Sequence, residues 1–161
     1  EMSLGQKKKA VMAFALASFT PVLLLDEPTN GLDIVGRDQF RAILARPEHR
    51  ERLVLISTHQ AHDLERILGH VLFVDAAALA LSAAMPALAR ALTMGVADDD
   101  AALAGIGGLV YHEQLGTQRP YVARNPGDEP GSVHLELLYK ALSLNKQGVL
   151  DAVHGAGGRH V

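Results

Sequence analysis

Asp26 and Glu27 stand side by side behind the apolar run Val22-Leu23-Leu24-Leu25. Two carboxylates at the end of a strand place negative charge at the carboxyl edge of a sheet, where open α/β folds bind ligands. One carboxylate can hold a divalent cation and its waters while the other orients or deprotonates a water. That division of labour suits hydrolysis of a metal-bound phosphate. In an extended strand neighbouring side chains point to opposite faces, so extended geometry would keep Asp26 and Glu27 from sharing a partner. The plain alternative is a strand that ends in solvated acids. Pro28 has no N–H to give a ladder and stops the strand; Asn30-Gly31 is a turn pair ahead of Asp33.

A second apolar run, Leu53-Val54-Leu55-Ile56, ends in Ser57-Thr58-His59, at the same sheet edge as Glu27. An imidazole there can donate to a phosphate or position an attacking water. It can also be an ordinary loop histidine, because His occurs eight times in the chain. His59, His62 and Asp63 suggest a metal cluster, but no further ligand pattern supports one. Ser3 is a candidate N-cap, and the helix it opens would attract an anion to Ser3 and the amides near Gly5, with Lys7, Lys8 and Lys9 adding charge. The plain counterpart is a capped helix with a solvated lysine face. Asp33 likewise fits an N-cap.

The elements that must position these groups follow from period and breakers. Residues 3–19 read as a helix, with Leu4, Val11 and Phe14 on a broad buried face. Residues 22–25 and 53–56 read as short strands buried on both faces, as in parallel sheets. Helices are expected over 35–45, ending near Pro47, and over 60–68, closed by Gly69. Residues 71–74 form a third strand, and 76–91 are too rich in alanine for period to separate strand from helix. Asp98-Asp99-Asp100 and the glycines at 105–108 mark a boundary. Beyond it come strands over 109–114 and 121–124, a loop over 125–131, helices over 133–144 and 147–154, and a frayed tail over 155–161.

The 161 residues suffice for one domain with a sizeable core and a small appendage. A charge of −3 gives no footprint for broad nucleic-acid binding, and the lack of Cys removes disulfides and thiolate metal sites. No segment has the length and apolarity of a membrane span. Lys7-Lys8-Lys9 before an apolar run imitates a signal peptide, but no cleavage site follows and the run leads directly into a core strand. There are no internal repeats.

Three stretches carry a family resemblance. Leu23-Leu24-Leu25-Asp26-Glu27-Pro28-Thr29-Asn30-Gly31-Leu32-Asp33 resembles the Walker B motif and D-loop of the ATP-binding cassette (ABC) ATPases. Met2-Ser3-Leu4-Gly5-Gln6 is similar to the family signature, usually LSGGQ, with Leu4 where the family usually has Gly. Leu53-Val54-Leu55-Ile56-Ser57-Thr58-His59 resembles the strand leading to the family's switch histidine.

The resemblance implies the carboxyl-terminal part of a P-loop NTPase of α/β class. Its sheet would be mostly parallel and flanked by helices, with a small α+β extension; 1–95 would be the ATPase part and 96–161 the extension. It implies a hairpin strand near 79–82 and a short helix from about Pro86. It implies ATP and Mg²⁺ as cofactors. Asp26 would hold Mg²⁺ through water, Glu27 would polarise the attacking water, and His59 would contact the γ-phosphate. Ser3, Gly5 and Gln6 would bind the γ-phosphate of ATP held by an opposite subunit, and Asp33 would lie at the subunit interface. The implied setting is a head-to-tail dimer driving membrane-spanning permease subunits, in an exporter, peripheral at the inner face of the cell membrane, with no nucleic acid. No G-x-x-x-x-G-K-[ST] occurs in the sequence and the signature stands at its start, so the expectation is a fragment of a longer ATPase, inactive alone. The same motifs also serve soluble ABC ATPases of DNA repair or translation; the mildly acidic charge argues against those.

Overall fold

Ser3 closes a capping box on the first helix of the computed structural model, which describes residues 2–157. Its Oγ accepts from the Gln6 N–H at 3.3 Å, and Gln6 Oε1 accepts from the Ser3 N–H at 2.9 Å. This start launches α1 (Leu4–Ala17). The inward row of α1 is Lys8, Met12 and Leu16, spaced four apart, with Ala15 beside them. Val11 and Phe14, expected on the buried face, are 69% and 79% exposed. Apolar residues surround this helix, so its sequence selects no face; Leu4, also expected there, has a side chain outside the described residues.

The chain divides into two compact units, one ending at Ile67 and one starting at Leu68. In the first, β1 (Val22–Asp26) pairs in parallel with β2 (Leu53–Ser57), from Val22 opposite Leu53 to Asp26 opposite Ser57. A parallel pair needs a long crossover, and α2 (Ile34–Leu44) is part of it. Asp33 caps α2, its Oδ1 accepting from the Gly36 N–H at 2.7 Å. Leu23 is buried, but Val22, Leu24, Leu53 and Leu55 are exposed, so these strands are not buried on both faces. Alternation puts those four on one side of the pair, and no described element of this unit covers it. The buried apolar residues of the unit are Leu16, Leu23, Leu32, Phe40 and Leu64. A 3-10 turn, Pro47–His49, buries His49 against Phe19, the rings stacked at 5.6 Å. Arg52 donates to the Leu16 carbonyl at 3.0 Å and so ties this loop to the end of α1.

The helix expected over 60–68 is a single 3-10 turn, Ala61–Asp63, followed by turns. Gln60 sits at φ −112°, ψ 63°, outside the helical region, and the Asp63 carboxylate turns toward the arginines of α2.

The second unit begins with the hairpin β3 (His70–Asp75) and β4 (Ala78–Ala84), which includes the strand expected near 79–82. Its two-residue turn, Ala76 and Ala77, has φ of +46° and +59°. So short a link forces antiparallel pairing. Next come α3 (Met85–Ala91), with Pro86 in its first turn, and β5 (Leu92–Ala97). The acidic run read as a boundary is a helix start: Asp99 Oδ1 accepts from the Ala102 N–H at 2.7 Å and caps α4 (Asp100–Ala104). β6 (Leu109–His112) and β7 (Arg119–Arg124) complete an antiparallel sheet in the order β5-β7-β6. α5 (Leu135–Leu144) and α6 (Lys146–Gly157) follow. Leu88, Leu92, Val122, Leu138 and Val149 are at the centre of the core, each fully buried.

The chain is thus a mixed α/β structure. Among the described residues only the β1–β2 pair is parallel, in place of a mostly parallel sheet; β3–β4, β5–β7 and β6–β7 are antiparallel. The compact units separate ahead of residue 95, which lies inside β5 and opposite Tyr121 of β7. Of the tail read as frayed, Gly155 to Gly157 close α6, and residues 158–161 lie outside the described residues. Among the described residues no helix is long and apolar enough to cross a membrane.

Candidate functional site

The register of β1 and β2 brings the two acidic residues and the histidine to one edge. Asp26 pairs with Ser57, whose hydroxyl donates to Asp26 Oδ1, and the Glu27 N–H extends the ladder one step to the Ser57 carbonyl at 2.9 Å. There the extended geometry stops, because Glu27 has φ of +43°. A residue before proline favours extended backbone, and a non-glycine residue in the left-handed region costs about 1–2 kcal/mol. This turn replaces the simple opposite-face arrangement. It carries the Glu27 side chain onto the residues just beyond β2. Glu27 Oε2 accepts from the Thr58 hydroxyl at 3.1 Å, and Oε1 accepts from the His59 N–H at 3.1 Å. The His59 ring nitrogen Nδ1 lies 2.6 Å from the same Oε1.

An ionised carboxylate only accepts, so Nδ1 carries the proton in this contact. The Gln60 side-chain nitrogen stands 3.4 Å from Nε2 on the other side of the ring. The hydrogen bond from His59 holds the Glu27 carboxyl below the usual glutamate range, helped by the Thr58 hydroxyl and the His59 amide against a smaller desolvation effect. Glu27 is therefore a charged, oriented acceptor, its side chain 31% exposed, beside an imidazole that is 66% exposed.

The loop from Glu27 to Asp33 is held by its own turns and by two cations. Asn30 N–H donates to the Glu27 carbonyl at 3.2 Å and Leu32 N–H to the Thr29 carbonyl at 3.1 Å, with Gly31 at φ +77°. Lys8 donates to the Glu27 carbonyl at 3.0 Å and to the Asn30 carbonyl. Arg37 Nε donates to the Leu32 carbonyl at 3.3 Å. In place of a solvated or phosphate-seeking lysine face, the Lys8 stem lies along the inward row of α1 and its ammonium closes the loop. The signal for it was its spacing of four from Met12. No motif or spacing in the sequence marks Arg37. Thr29 is fully buried and its hydroxyl has no hydrogen-bond partner among the described residues.

Asp33 belongs to the cap of α2. Its carboxyl is held below the usual aspartate range, first by the Gly36 N–H and then by Lys9, whose Nζ lies 3.3 Å away. The Asp33 side chain is 68% exposed, so the cap leaves it open to solvent. Ser3 and Gln6 bond to each other in the capping box rather than to the Glu27 group, and Gly5 has open space where a side chain would be. Ser3, Gly5 and Gln6 therefore stand together at the start of α1 and, among the described residues, share no hydrogen bond with Glu27, Thr58 or His59.

Asp26 is exposed and engages Ser57 through Oδ1. Among the described residues no cluster of three or more His, Asp or Glu side chains could hold a metal. Mg²⁺ asks less than that: it keeps several waters and takes one or two carboxylates plus phosphate oxygens. A lone, accessible carboxylate at a sheet edge fits this requirement.

No protein-family model matches the chain. Curated proteins do. The chain is 36% identical over 72 residues to the bacitracin transport ATP-binding protein BcrA of Bacillus licheniformis, covering 44% of this chain and 24% of that protein. It is 33% identical over 76 residues to the ABC transporter ATP-binding protein YtrB of Bacillus subtilis, covering 47% and 26%. It is 38% identical over 76 residues to the energy-coupling factor transporter ATP-binding protein EcfA2 of Ligilactobacillus salivarius, covering 47% and 26%. The matched stretch spans about a quarter of the length of these relatives. Over roughly half of its own length, the chain is homologous to the ATP-binding proteins of ABC transporters.

Proposed function

We propose that this chain carries the hydrolytic edge of an ATP-binding subunit of an ABC transporter. The observation that supports the reading best is the Glu27 carboxylate, ionised and aimed by Thr58 and His59 at the end of β1, next to the accessible carboxylate of Asp26. Asp26 would hold Mg²⁺ through water, and Mg²⁺ when bound would neutralise charge on the phosphates. Glu27 orients the attacking water and takes its proton. His59 has Nδ1–H committed to Glu27, which keeps its ring plane fixed; as an imidazolium it also donates Nε2–H, which would pass from the neighbourhood of the Gln60 side chain to the γ-phosphate. Ser3, Gly5 and Gln6 at the start of α1 meet the γ-phosphate of ATP on an opposite subunit, and the exposed Asp33 faces that subunit.

The reading includes a head-to-tail dimer working against membrane-spanning permease subunits at the inner face of the cell membrane. It assigns 1–95 to the ATPase part and 96–161 to an extension. That extension, loosely similar to those of ABC ATPases driving exporters, is the ground for proposing export. The test is ATP binding in an assembly that also supplies a phosphate-binding P-loop. Asp26→Asn is expected to lower Mg²⁺-dependent ATP affinity by about tenfold or more while leaving metal-free binding alone. Unchanged Mg²⁺ dependence would remove Asp26 from the site.

A further inference from the structure

We propose that Arg37 and Asp63 form a clamp that positions His59 against Glu27. Arg37 reaches both loops of the hydrolytic edge at once. Its Nε donates to the Leu32 carbonyl, on the loop that Glu27 opens, and its Nη1 donates to Asp63 Oδ2 at 2.7 Å, on the segment that follows His59. Arg41, one turn further along α2, donates to the Asp63 carbonyl at 3.0 Å and lies 3.7 Å from Oδ1. His62 Nε2 is 3.2 Å from the same Oδ1. The Asp63 side chain is only 10% exposed, so removing its partners would strand a charge away from water.

The clamp matters because this segment is irregular and has no helical ladder to hold it. Residues 60–68 form one 3-10 turn and further turns instead of a helix, with buried Leu64 as the apolar anchor. A planar guanidinium with donors on several nitrogens can hold a carbonyl on one loop and a carboxylate on another in fixed geometry; an ammonium is a point charge and cannot impose the same geometry. Arg37 sits in α2, a rigid element capped by Asp33, so the clamp also ties the hydrolytic edge to the segment proposed to face the opposite subunit. Arg37 and Asp63 are positioning residues that act through the His59–Glu27 pair and not on the reacting atoms. The assignment rests on the roles proposed above for Glu27 and His59.

The test uses the full chain without nucleotide and reads backbone amide hydrogen exchange at His59, whose N–H is donated to Glu27. Asp63→Asn is expected to speed exchange at His59 by about tenfold while amides within β1 and β2 keep their protection. Exchange at His59 at the parental rate in a folded variant overturns the clamp. If Asp63→Asn unfolds the unit, all its amides exchange together. Arg37→Lys then carries the test, because it keeps the charge opposite Asp63 but gives up the fork; selective loss at His59 supports the clamp, and parental exchange overturns it. In the assembly with a P-loop, both variants should lower kcat with KM unchanged. Selective exchange at His59 together with a parental assembly that does not hydrolyse ATP would leave the clamp standing and refute the proposed function alone.

Discussion

Glu27 is where the local rule and the observed backbone part. The sequence Asp26-Glu27-Pro28 predicts extended backbone at Glu27, yet its φ is +43°, and with that turn its carboxylate meets both Thr58 and His59. The motif made the adjacency of Asp26, Glu27 and His59 legible, because residue type and order carry it. Glu27's turn and the reach of Lys8 were not legible, since both depend on packing between elements distant in sequence. The contacts of Glu27 have a pH consequence. Its folded value is depressed, so the stabilisation they give is present above the ordinary glutamate value and is lost as pH falls through the lower folded value. An acid titration followed by NMR of the Glu27 carboxyl should give a midpoint below 4.5, with the Thr58 and His59 signals moving in the same step. A midpoint at or above that value would mean the contacts are not formed.

At the scale of elements, period and breakers found the strands that carry the site but not all of their surroundings. β1, β2 and α2 are near their expected places, since short apolar runs and an Asp cap leave few alternatives. β5 and α4 were missed. β5 follows α3 with no intervening residue, and the aspartates that cap α4 read equally well as a solvated boundary. The hairpin was legible only through the resemblance, because two-residue turns of this kind ordinarily carry Asn or Gly and this one is Ala76-Ala77. An alanine at φ +59° is strained in a way glycine relieves. Ala77→Gly should therefore stabilise the chain by about 0.5–1 kcal/mol after the entropic cost of glycine. Chemical denaturation followed by far-UV circular dichroism measures this, and a loss of stability would show that the turn tolerates alanine without strain.

For the molecule as a whole, one consequence lies on the side of the parallel pair where Leu24 is 69% exposed and Leu53 is 62% exposed. A two-stranded sheet with an uncovered apolar side and open edges invites association. Sedimentation velocity should show concentration-dependent self-association of this chain, reduced in the double variant Leu24→Thr, Leu55→Thr. Association unchanged by that substitution would place the sticky surface elsewhere. The mixed α/β class was readable from the sequence, but the division after Ile67 was not, because it falls between two short turns with no change in composition. Whether Glu27 is the base of an ATP-hydrolysing edge is decided by Glu27→Gln. The amide keeps the size and one acceptor but removes the charge, and loss of a positioned general base typically costs about 10²–10⁴ in rate. In an assembly supplying a P-loop, ATP hydrolysis should fall to that degree with ATP binding retained and ATP-dependent dimers persisting; hydrolysis at the parental rate would show that Glu27 is not the base.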